Sequence, residues 1–87
     1  MSEYSVEVRV TPRRGILDPQ GSAVRGALRS LGFGEVGEVH VGRLIVFTVD
    51  EDSEDAAAER ATAMCRQLLA NPVTEDFDVR VTAPAAA

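Results

Sequence analysis

The sequence contains no lysine and no tryptophan, a single cysteine, a single histidine and only four aromatic residues. Each shortage removes a class of function. One cysteine, Cys65, cannot close an internal disulfide, and it cannot anchor a Cys-rich zinc site. The one histidine, His40, has no neighbouring Cys or His with which to bind a metal. No apolar run approaches the ~20 residues of a membrane span. The start, Met1-Ser2-Glu3-Tyr4, lacks the basic and apolar regions of a signal peptide. A cytoplasmic location with no membrane contact is expected. The nine cations are all arginine against 14 acids, for a net charge of −5. They are spread unevenly, with six arginines and five acids in residues 1–43 and three arginines and nine acids in 44–87. Phosphate backbones need clustered cations, and single strands need aromatic platforms. Neither is present, so nucleic acid is not an expected partner. A small anionic ligand would need only two or three arginines and stays open.

What the chain does have is 45% apolar and 26% charged residues over 87 positions. That is one soluble globular domain, 1–87, with an ordered core over about 3–82 and a frayed tail at 83–87. So short a chain buries only ~60–65% of its unfolded surface, so it gains from pairing with copies of itself.

Residues 4–11 alternate strictly, with Tyr4, Val6, Val8 and Val10 on one side, and predict a half-buried strand. Asp18 is a good N-cap and Pro19 suits the first helical position, so a first helix is expected from about 19 to 31. Val24, Ala27, Leu28 and Leu31 would be its buried stripe and Gly32 its left-handed terminator. Gly21 and Gly26 fit close packing of backbone on a sheet. Val36, Val39 and Val41 mark a second strand, Gly42-Arg43 a two-residue turn, and Leu44–Val49 a third strand. The acidic run 50–55 leads into a second helix over about 54–70, capped by Asp52 or Ser53. Its stripe is Ala57, Ala61, Met64 and Leu68, with Cys65 beside it as a small buried hydrophobe. Asn71-Pro72 ends that helix, and Phe77, Val79 and Val81 alternate in a last strand. The order β-α-β-β-α-β predicts an α+β, split βαβ (ferredoxin-like) two-layer sandwich. It would have a four-stranded antiparallel sheet, strands 1 and 3 central, with both helices on one face.

The two-residue turn implies a register. Val39, Val41, Leu44 and Val46 would face the helices, leaving Ile45, Phe47 and Val49 on the far face beside Glu7, Arg9, Asp78 and Arg80. An apolar stripe with a polar rim reads as a subunit interface, with His40 and Glu38 next to it.

Catalytic patterns are missing. There is no Walker loop, no G-x-G-x-x-G and no Ser-centred elbow. Acylphosphatases share the expected topology, but their Gly-rich loop and Arg/Asn arrangement are not here. Metal-carrier domains of that topology need a Cys-x-x-Cys loop. The residues alone read as a non-catalytic module with no catalytic, cofactor or metal residue.

More specific are Val10-Thr11, Ile16-Leu17-Asp18-Pro19-Gln20-Gly21-Ser22-Ala23-Val24, Ala27-Leu28-Arg29-Ser30-Leu31-Gly32-Phe33, Glu35-Val36, Val41-Gly42-Arg43 and Cys65-Arg66-Gln67-Leu68-Leu69-Ala70-Asn71-Pro72-Val73-Thr74-Glu75-Asp76-Phe77, within which Leu17–Gly21 and Leu68–Val73 are jointly the most specific. In these blocks, and from about residue 4 to 82, the chain closely resembles the PurS family. These are the small subunits of multi-subunit phosphoribosylformylglycinamidine synthase, also called formylglycinamide ribonucleotide amidotransferase. The missing lysines, the acidic run and the Ala/Pro tail depart from the resemblance only in peripheral regions. The resemblance implies a non-catalytic adaptor in de novo purine biosynthesis, dimeric or tetrameric with itself. It implies two partners, a PurL-type synthetase that uses ATP and Mg to activate a formamide oxygen and a PurQ-type glutaminase that supplies ammonia. The adaptor itself would bind no cofactor. Candidate partner or oligomer contacts are then Asp18, Gln20, Gly21, His40, Ile45, Phe47, Val49, Asn71 and Glu75. For Asp18 and Gln20, plain helix capping is an equal reading. A small-molecule-sensing regulatory domain of the same element order is the rival, although such modules are usually fused to an enzyme.

Overall fold

The computed structural model describes residues 2–15 and 18–82. Met1, Ile16, Leu17 and the expected tail at 83–87 lie outside the described residues. Strand β1 spans Ser2–Pro12, helix α1 Pro19–Ser30, β2 Arg43–Glu51, α2 Glu54–Met64 and β3 Glu75–Thr82. A π-helical turn, Cys65–Leu69, continues α2.

Local chemistry sets these boundaries much as expected. The Asp18 carboxylate accepts the Gly21 N–H at 2.9 Å and starts α1, with Pro19 in its first turn. Gly32 takes φ +102° and ends it. Ser53 accepts the Ala56 N–H at 3.1 Å and caps α2, whose first turn carries Glu54 and Asp55. Ala70 leaves the helix with extended backbone.

The sheet corrects the expected architecture. It has three strands in the order β2-β1-β3, both pairs antiparallel, and not four. The anticipated strand at 36–41 and the Gly42-Arg43 turn do not form. Side chains from the α1 region take that segment's backbone groups instead. Arg29 donates to the Val36 carbonyl at 3.1 Å from Nη2, and Asp18 accepts the Val41 N–H at 2.9 Å. Gly21 lets the helix approach so closely that a Cβ there would collide with the Val39 carbonyl. Gly42 likewise lies against the Val10 carbonyl of β1. The chain therefore enters β2 directly at Arg43, opposite Val10, with no room for a hairpin.

Losing that turn reverses the register argument. Val6 pairs with Phe47 and Val8 with Ile45, while Glu7 pairs with Val46 and Arg9 with Leu44. Ile45, Phe47 and Val49 thus share the α2-facing side with buried Val6, Val8 and Val10. Leu44 and Val46 take the outer face and are exposed. An apolar stripe does cross the outer face, but it is made of the opposite residues.

Ala57, Ala61 and Cys65 are fully buried under α2, and their small size lets the helix sit close to β1 and β3. Met64 and Leu68, expected in that stripe, are exposed, Leu68 at 82%. The second departure concerns α1. It does not lie on the sheet: Val24, Leu31 and Phe33 are exposed, and a Cβ on Gly26 would meet nothing. The molecule is accordingly flat and long, 51 × 31 × 14 Å, with a radius of gyration of 16.6 Å. A compact chain of this length would have one of roughly 12 Å.

Burial pushes the Cys65 thiol pKa up. Cys65 should therefore resist thiol reagents in native buffer and react after denaturation. Cys65→Ala should lower stability by ~1 kcal/mol, read from urea denaturation.

Candidate functional site

Three strand ends meet at one end of the sheet: Pro12 of β1, Arg43 of β2 and Glu75 of β3. The start of α1 joins them there. Between them opens a cleft of about 330 Å³ lined by Asp18, Gln20, Gly42, Arg43, Thr74 and Glu75, among others. Of the segments that carry the resemblance, those at 16–24, 41–43 and 65–77 contribute to it. Arg43 and Glu75, 32 positions apart, become neighbours because β2 and β3 begin at the same end of the sheet on either side of β1.

Asp18 does two jobs. Oδ1 caps α1 through Gly21, and Oδ2 holds the Val41 N–H, 23 residues away. Its side chain is 11% exposed. Hydrogen bonds from Gly21 and Val41, and the nearby His40, keep the carboxyl pKa below its ordinary value, against the opposing effect of desolvation. His40 Nδ1 stands 3.7 Å from Asp18 Oδ2, and its Nε2 stands 3.7 Å from Glu38.

Glu75 is the second fixed carboxylate. Arg43 grips it through two hydrogen bonds, at 2.7 and 2.9 Å, and also donates to the Leu69 carbonyl at 2.7 Å. The Asn71 N–H adds a bond to Glu75 at 2.8 Å. Arg43 first, then Asn71, keep the Glu75 carboxyl pKa below its ordinary value, and Glu75 raises that of Arg43 in return. Asn71 Oδ1 accepts the Val73 N–H at 2.9 Å, closing a turn over Pro72. On the far side of this loop Arg13 donates to the Pro72 carbonyl at 2.8 Å and to Asp76 at 3.1 Å. The loop 70–74 is thus tied down from both flanks while Val73 points outward, exposed.

Of the residues anticipated as contacts, Asp18, Gln20, Gly21, His40, Asn71 and Glu75 gather in or behind this cleft. Ile45, Phe47 and Val49 do not. They lie half-buried on the α2-facing side of β2. The residues missed were Arg43, Thr74 and Arg13. Arg43 belongs to the Val41-Gly42-Arg43 segment, but the expectation of a turn there hides its role as the tie between strand and loop. Arg13 lies between the expected first strand and first helix, where the sequence pattern assigns it no role. Among the described residues no three His, Cys, Asp or Glu side chains cluster as a metal site would require.

Both carboxylates sit below their unfolded values, so their contribution to stability is present above the ordinary carboxylate range. It is lost as pH falls through the depressed folded-state values. Denaturation midpoints measured between pH 6 and pH 3 should drop for the native chain. The drop should be shallower for Asp18→Asn combined with Glu75→Gln. Parallel curves would mean that these two groups do not drive acid unfolding.

The PurS family model, described as phosphoribosylformylglycinamidine (FGAM) synthase, matches residues 5–83. The chain is 39% identical over 79 residues to the phosphoribosylformylglycinamidine synthase subunit PurS of Methanothermobacter thermautotrophicus, spanning 91% of this chain and 93% of that protein. The structure of Bacillus subtilis PurS in its C2 crystal form superposes with a TM-score of 0.79 at 38% identity, covering 92% of this chain and 99% of that one. A chain in the structure of PurLQS from Thermotoga maritima superposes with a TM-score of 0.85 at 28% identity, covering 94% and 100%.

Proposed function

Because this chain belongs to the PurS family of FGAM synthase, we propose that it acts as the small, non-catalytic adaptor of that synthase in purine biosynthesis. Its partners would be a PurL-type synthetase, which uses ATP and magnesium, and a PurQ-type glutaminase, which releases ammonia. The observation that carries this reading is the likeness over nearly the whole chain to a subunit of the Thermotoga maritima PurLQS assembly. The local chemistry is consistent with it. The charged groups of the cleft, Asp18, Arg43 and Glu75, are engaged in hydrogen bonds to backbone and to one another, which fix the shape of this end of the sheet. The place of work is the cytoplasm, where the nucleotide substrate and ATP are available.

We also propose that the chain self-associates. The stripe of α1 has no sheet of its own to cover, and Ile45, Phe47 and Val49 are covered only in part. Apolar residues left open on both surfaces supply a reason for two copies to meet.

The direct test is co-expression of the tagged chain with PurL-type and PurQ-type subunits. Both should be retained on the tag in the presence of magnesium and nucleotide. Retention of neither would remove the adaptor reading.

A further inference from the structure

We draw no further inference here: the strongest candidate, the open side of the α1 unit, where segment 36–41 joins no sheet and Val24, Leu31 and Phe33 stay exposed, belongs to the self-association already proposed for this chain.

Discussion

Omitting this chain from a reconstituted synthase should abolish glutamine-dependent amidine formation while leaving ammonia-dependent turnover largely in place. The asymmetry follows from how each nitrogen donor reaches the reacting carbon. Free ammonia arrives by diffusion, so a synthetase subunit needs no docked glutaminase to use it. Ammonia released from glutamine is useful only if the glutaminase discharges it next to the synthetase site; otherwise it dilutes and is protonated. Linking modules makes the second contact intramolecular and can strengthen the whole over either contact alone by factors on the order of 10²–10⁴. The rate with glutamine should fall on that scale, and the rate with saturating ammonium should change by less than about threefold. Asp18→Ala with Gln20→Ala should reproduce part of the glutamine-specific loss, because both residues stand at the cleft where the start of α1 meets the sheet end. Equal glutamine rates with and without the chain would eliminate the adaptor role. Equal loss with both donors would mean that the chain also supports the synthetase site itself.

Much of the fold was legible because its signals are local. The alternation of Val6, Val8 and Val10 gave β1, and these residues are the core. Asp18, Pro19, Gly32 and Ser53 placed both helices to within a residue or two. What escaped was decided by competition at a distance. Residues 36–41 have the valine pattern of a strand, but their carbonyl and N–H groups go to Arg29 and Asp18, side chains of another element. No periodicity within the segment records that capture. The error then spread, because a hairpin that does not exist had fixed the facing of Ile45, Phe47 and Val49. Helix α1 was misjudged for a related reason. Its stripe announces that something covers it, and the pattern cannot say whether the cover comes from its own chain. The cleft was half visible. Asp18, Gln20 and Glu75 of its lining were nominated from the sequence, whereas the Arg43–Glu75 tie depends on strand order and could not be read beforehand.

Leu31→Asp should separate the self-associated protein into single chains that remain folded. Leu31 is 74% exposed in the single chain, near the end of α1 and away from the valine core. Substitution at so exposed a site should change the stability of an isolated chain by no more than ~0.5 kcal/mol. If α1 meets a second copy, the same carboxylate must enter an apolar contact without a partner, which costs several kcal/mol. The two expectations differ by orders of magnitude in the association constant, since each ~1.4 kcal/mol is a factor of ten. Phe47→Glu is a poorer probe, because Phe47 packs on the core and its loss would also loosen the fold. Val46→Lys, on the outer face of the same strand, asks whether the opposite side of the sheet takes part. Sedimentation at micromolar concentration should give the native chain a mass of at least two copies of 9.3 kDa, and Leu31→Asp the mass of one, with circular dichroism unchanged. Dissociation by Val46→Lys alone would move the interface to the outer face. A native chain that sediments as one copy would remove self-association altogether and leave the open stripe of α1 to a different protein.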